Sequence, residues 1–250
     1  MWRILRQLSG QNIIFPFYHS VGNQPLAHIK HLYNIRSAEQ FEKDIQFLLK
    51  HYHPLSLYEL LDIIKGKTKY DKPAFFLSFD DGLRDVYDIA FPLLKKYHIP
   101  AAIFLNSAFV DNKDLFFRYK ASVLIENFSE QFVSQLSSFF GKRMNHKSFA
   151  EQMLSVTYQN RKILDEIAQI LQVDFANYLQ NQQPYLTTAQ ILELKENNFY
   201  IGAHSVDHPD FHQITDEQKL WQVKESLKFV QQQFNVDYRI FSFPFFDHAI

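Results

Sequence analysis

Three short clusters carry the side chains that could do chemistry. Asp80 and Asp81 are adjacent carboxylates followed by Gly82. His204 and His208 stand four residues apart, and Pro244-Phe245-Phe246-Asp247 comes near the end of the chain. Two imidazoles at that spacing reach the same side from one helical turn or a compact loop. Two His and one carboxylate leave an open position on a divalent ion, the arrangement of a hydrolytic zinc site. A second carboxylate beside them can act as general base on the attacking water. Asp80 and Asp81 can divide those roles, because consecutive side chains at a strand end point in different directions. Taken singly, each cluster is a weak signal. A lone Asp-Asp-Gly is most often a turn, and with 11 His in the chain such a pair can arise by chance. His19, His98, His212 and His248 are read singly as surface or core residues.

What joins the clusters is the element before each one. Residues 73–79 form a near-continuous apolar run, the signature of a strand buried on both faces, and end at Asp80. Residues 199–203 form a short strand that ends at His204, and residues 239–243 a last one that ends at Pro244. Between the first of these and another buried-type strand, 100–105, a helix carries Ile89, Leu93 and Leu94. Strand, helix, strand at this spacing is a βαβ unit and implies a parallel sheet. In a parallel α/β barrel all the strand C-termini lie on one face, where βα loops build the site, so clusters distant in sequence can converge.

The remaining elements fit that pattern. An opening strand spans roughly Ile13 to Tyr18. Capping boxes at Ser37-x-x-Gln40, Ser56-x-x-Glu59, Thr187-x-x-Gln190 and Thr215-x-x-Gln218 each start a helix. The last helix is expected to bury Leu220, Val223, Leu227, Val230 and Phe234 on one face. Residues 107–184 break the rhythm. They show helical spacing, as at Ile163, Ile167, Ile170 and Leu171, but no strand, and are read as a helical insertion between barrel strands. It is expected to end in a loop, Gln180 to Gln183.

Bulk composition narrows the classes. At 250 residues and 46% hydrophobic, the chain can bury a substantial core. A net charge of −1 gives no electrostatic case for nucleic acid. With no cysteine, disulfides and thiolate metal sites are excluded. No stretch approaches the roughly 18 apolar residues of a membrane span. The first residues show neither a long apolar core nor a small-residue cleavage site, so no signal peptide is read. The expected location is cytoplasmic or membrane-peripheral.

Ser78-Phe79-Asp80-Asp81-Gly82 resembles the first motif of the polysaccharide deacetylases (carbohydrate esterase family 4), and His204-Ser205-Val206-Asp207-His208 resembles their second. Tyr18-His19-Ser20 is similar to the Tyr-His strand end with which some members begin. The resemblance covers roughly residues 10–106 and 185–250. It implies a distorted (β/α)7-type barrel and removal of N-acetyl or O-acetyl groups from a glycan. Asp80 would be the general base. Asp81, His204 and His208 would hold a divalent metal, expected to be Zn²⁺, that activates the water attacking the acetyl carbonyl. The backbone N–H of Phe245 would help stabilise the oxyanion, and Ser205 would buttress its loop.

Two departures stand out. The family's third motif is often Arg-x-Pro, with the Arg orienting the catalytic Asp, whereas here Ser242 occupies that position. The family's catalytic His lies well downstream of this motif, so the chain is expected to be C-terminally truncated and its barrel incomplete. Two other readings remain open at this stage: an inactive, glycan-binding relic, and an amidohydrolase acting on a small non-sugar amide.

Overall fold

The computed structural model describes residues 12–24 and 26–245. Phe246, Asp247 and His248 lie outside the described residues, as do residues 1–11, on which the signal-peptide reading rests. The expected opening strand appears as two pieces, β1 (Ile13–Ile14) and β2 (Phe17–Tyr18). The 73–79 run likewise divides into β4 (Ala74–Phe75) and β5 (Leu77–Phe79). The register is nevertheless continuous. Ile13 faces Ala74 and Phe17 faces Ser78. The amides of Ala74, Phe76, Ser78 and Asp80 donate in turn to the carbonyls of Asn12, Ile14, Pro16 and Tyr18. The ladder thus runs unbroken to Asp80.

The remaining strands add in parallel. β3 (His53–Pro54) joins β4, β6 (Ala101–Leu105) joins β5, and β7 (Phe199–Ala203) joins β6. The two sheets read β1-β4-β3 and β2-β5-β6-β7. The expected strand at 239–243 is reduced to one parallel bridge, Ala203 to Phe241. Two hydrogen bonds flank it, Ala203 N to Ile240 O (3.1 Å) and Ser242 N to Ala203 O (3.0 Å). Among the described residues the sheet does not close into a ring.

Helices follow their sequence signals. All four expected capping boxes form, starting α1 (Ala38–His51), α2 (Leu57–Ile64), α9 (Thr188–Glu196) and α10 (Asp216–Phe234). After Gly82 the chain makes a π-helical turn, Val86–Ala90, and continues as α3 (Phe91–Lys96). Alternate strand residues face opposite ways, as the period of 2 requires. Phe79, Ile103, Leu105 and Ile201 pack with Phe41, Ile45 and other residues of the flanking helices. Phe76, Ala102 and Phe104 pack on the other face with Leu55, Leu57 and Leu60. Burying both faces explains why these strands read as continuous apolar runs.

Between β6 and α9 lie α4 (Phe117–Glu126), α5 (Val133–Phe140), α6 (His146–Leu154), α7 (Ile163–Leu171) and α8 (Phe175–Gln182). They share a core that includes Tyr119, Leu124, Phe149, Leu164 and Ile167. The loop expected at Gln180 to Gln183 is instead mostly the end of α8. Asp174 caps that helix by accepting from the amides of Ala176 and Asn177, and Leu179 anchors it. The Gln/Asn-rich stretch is its exposed side, and only Gln183, at φ 45°, leaves the helix. Among the described residues, no helix is long and apolar enough to cross a membrane.

Gly202 is where β6, β7 and the 240–242 segment approach most closely. A Cβ there would lie 2.5 Å from Phe104 Cδ1 and 2.9 Å from Ile240 Cγ1. Gly202→Ala should therefore lower stability by about 1–3 kcal/mol through overpacking. Urea denaturation checks this, and an unchanged midpoint would contradict the close approach.

Candidate active site

Two parallel strand ends, those of β5 and β7, carry the candidate residues. β5 stops at Phe79, and Asp80 and Asp81 follow directly. Asp81 has φ 69° and Gly82 φ 66°, so the chain turns sharply here. A Cβ on Gly82 would meet Leu105 Cδ2 at 2.8 Å, so glycine meets both the conformational and the steric demand. One strand further on, His204 N donates to Leu105 O (2.8 Å), pinning the start of the histidine loop to the end of β6.

Asp81, His204 and His208 converge in the buried interior, with one candidate ligand atom from each all within 4.8 Å of one another. Asp81 Oδ1 lies 3.6 Å from His204 Nε2 and 3.2 Å from His208 Nε2. His204 Nδ1 contacts the Ser242 carbonyl at 2.8 Å. A carbonyl only accepts, so Nδ1 carries the proton and Nε2 presents a lone pair. Burial lowers the His204 pKa, which favours the neutral imidazole that a metal requires. Burial raises the Asp81 pKa, but the neighbouring histidines when protonated, His208 first and then His19 and His204, carry it well below the usual carboxylate range. The other Asp81 oxygen, Oδ2, accepts from Tyr119 Oη at 2.7 Å. Oδ1 is buried and has no hydrogen-bond partner among the described residues. Leaving a carboxylate oxygen so costs free energy unless a cation satisfies it. The donor set and this orphaned atom fit a divalent ion.

Asp80 lies beside this cluster. Its Oδ2 accepts from Ser242 Oγ (3.3 Å), and its Oδ1 has no hydrogen-bond partner among the described residues. Ser242, at the position of the family's Arg, thus contacts the same carboxylate through a neutral hydroxyl. Phe245 packs its ring on His208, centroids 4.8 Å apart, beneath the Arg118 guanidinium at 5.2 Å.

The histidine loop is held from behind. Ser205 Oγ accepts from His208 N (3.0 Å) and from Asn106 Nδ2 (3.2 Å), and Asn106 Nδ2 also donates to His204 O (2.5 Å). Gln222 is buried on α10. Its Oε1 accepts from Val206 N (2.7 Å), and its Nε2 donates to Asp207 Oδ1 (2.6 Å). Leu220, expected on the buried face, is instead 53% exposed. The inward face of α10 runs through Gln222 and Ser226 because it meets loop backbone as well as core. Tyr158, from the helical segment, donates to Asp207 Oδ2 (2.7 Å). This bracing holds unusual backbone. Asp81, Ser205, His208 and Phe245 all have positive φ, a conformation that costs a non-glycine residue on the order of 1–3 kcal/mol and concentrates at functional sites.

These residues line a groove of about 1140 Å³, whose walls include Phe17, Tyr33, Arg118 and Phe243. Its floor includes Asp80, Asp81, His204 and His208, and Phe245 also lines it. The structure therefore brings every sequence-predicted site residue together. Sequence reading missed Tyr119, Asn106 and Gln222, and took His19, which lines the groove, singly as a surface or core residue. Only His19 left a signal, as the residue immediately after strand β2.

Comparisons with known proteins bear on the family and the fold. A family model described as polysaccharide deacetylase matches residues 67–249. A poly-β-1,6-N-acetyl-D-glucosamine N-deacetylase of Staphylococcus epidermidis is 44% identical over 68 residues, 27% of this chain and 23% of its own length. A Staphylococcus aureus protein of the same name is 38% identical over 79 residues, 31% and 27% of the two chains. The chain thus spans about a quarter of the length of the curated relatives it matches. Among solved structures, the Streptococcus pyogenes deacetylase PplD in complex with acetate aligns at a TM-score of 0.58 and 18% identity, covering 93% of this chain and 73% of that one. IcaB from Ammonifex degensii aligns at 0.58 and 14% identity, covering 94% and 75%. At these identities the structural likeness speaks for the fold.

Removing the Gln222 brace should be costly. Gln222→Ala leaves the Val206 amide without its acceptor and should cost about 1–3 kcal/mol. Chemical denaturation reads the loss, and faster hydrogen exchange at Val206 should accompany it. Wild-type stability and exchange would show that the loop does not depend on Gln222.

Proposed function

The chain belongs to the polysaccharide deacetylase family, and we propose that it is a metal-dependent N-deacetylase of an N-acetylhexosamine glycan. The observation that carries this reading is the pairing, on one groove floor, of the Asp81/His204/His208 donor set with the carboxylate of Asp80. The names of the relatives make poly-β-1,6-N-acetyl-D-glucosamine the first substrate to test. The same reading treats the chain as one deacetylase domain, with residues 107–184 as a helical insertion.

Asp81, His204 and His208 hold the ion, taken here as Zn²⁺, which suits a site of two imidazoles and one carboxylate. When bound, such an ion polarises the acetyl carbonyl and lowers the pKa of the attacking water. Asp80 is the general base, and its unpartnered Oδ1 takes the water's proton while Ser242 steadies Oδ2. The Phe245 amide donates to the oxyanion that forms on the acetyl oxygen. Collapse of that intermediate expels the sugar amine, which must gain a proton. His19 lines the groove outside the ligand set, but the family resemblance puts the proton donor on a histidine downstream of the third motif. The products are acetate and a glycan whose hexosamine residue carries a free amine.

Release of primary amine from oligomers of β-1,6-N-acetylglucosamine tests the reading. Chelation should abolish turnover and added zinc restore it. Asp80→Asn should retain the metal yet lower kcat about 10²–10⁴-fold. An Asp81→Ala, His204→Ala double variant should lose metal and turnover together. An Asp80→Asn protein as active as the wild type would remove Asp80 from the mechanism.

A further inference from the structure

Tyr119 is a buried hydroxyl that the mechanism above does not use. It lies on α4, outside the parallel sheet, and its side chain is fully buried. Its ring packs against Phe116 at 5.1 Å, His28 at 5.4 Å and Tyr185 at 6.2 Å between centroids. Packing on several sides fixes where the phenolic oxygen sits. That oxygen donates to Asp81 Oδ2 at 2.7 Å, the length of a charge-assisted bond. Its one proton is thereby committed. At the 3.0 Å contact with Tyr33 Oη, Tyr33 must be the donor. The result is a directed chain, Tyr33 to Tyr119 to Asp81.

A carboxylate on a flexible two-fold torsion can offer a cation either oxygen or both. Here one oxygen is claimed by Tyr119, and the other is the atom that faces both imidazoles. Phe116, just before α4, places its ring 4.4 Å from that of His208. The start of this helix therefore touches two of the three ligand side chains.

We propose that Tyr119 is a positioning residue for the metal site, its hydroxyl holding one oxygen of Asp81 so that the other is presented to the ion. The proposal rests on the metal-site reading above. It also gives the 107–184 segment a role inside the site, as the support of a ligand.

The competing explanation is a buried tyrosine that merely satisfies its hydroxyl. Zinc affinity, measured by competition with a chromogenic chelator, separates the two. Tyr119→Phe keeps the ring and removes only the donor. It should weaken zinc binding about 10- to 100-fold, as loss of a ligand's hydrogen-bond partner does. Its kcat should recover as zinc is raised to saturation, which a general packing defect would not allow. Tyr178→Phe is the control. It removes another hydroxyl that packs against the same helical core, one bonded to His28 Nδ1 at 3.0 Å, and should leave zinc affinity unchanged. Wild-type affinity in Tyr119→Phe would overturn the proposal while leaving the site intact. If Tyr119→Phe does not fold, Tyr33→Phe should show a smaller loss in the same direction, and no loss there would overturn it. A wild-type protein that binds zinc no better than the Asp81→Ala, His204→Ala variant would instead bring down the site reading, and this proposal with it.

Discussion

The structure turns on three candidate ligand atoms brought together in a buried place. Asp81 Oδ1 and the Nε2 atoms of His204 and His208 face one another with no protein donor among the described residues to satisfy the carboxylate oxygen. With both imidazoles neutral, such a convergence is unfavourable by itself, because a buried anion oxygen facing their lone pairs gains nothing. It becomes favourable when a cation occupies the point between them. Much of the surrounding architecture serves to hold this arrangement in place.

That service comes in layers. Parallel strands with unbroken hydrogen bonding bring Asp81, His204 and His208 from the ends of β5 and β7 to one face. Left-handed residues then aim them, at a local cost that the surroundings offset. Asn106, Ser205 and Gln222 satisfy the loop's backbone, and the Ser242 carbonyl fixes the His204 tautomer. Ser242 is used twice, since its hydroxyl also reaches Asp80. That contact is made by a neutral hydroxyl rather than by a charged guanidinium.

Legibility in the sequence followed the range of the interaction. Capping boxes are local, and all four expected from the sequence formed. Strands buried on both faces leave apolar runs, so β5 to β7 and the clusters at their ends could be read directly. The last strand could not. Residues 239–243 have strand-like composition, but only Phe241 bridges to Ala203. The Gln180–Gln183 stretch looked like a loop because composition does not reveal the Asp174 cap and the Leu179 anchor that make it helical. Gln222 was passed over because helical periodicity counts apolar residues, and its burial comes from hydrogen bonds to a loop. Tyr119 left no signal among 13 tyrosines, since its role depends on a contact 38 residues away in sequence.

The most direct test of the central claim is the first coordination shell of zinc in the loaded protein, read by X-ray absorption. The account predicts two imidazole nitrogens with a carboxylate oxygen, at roughly 2.0–2.2 Å, and room for a further light ligand. His204→Ala should reduce the imidazole signal. A shell of oxygens alone, or one unaltered by His204→Ala, would contradict it.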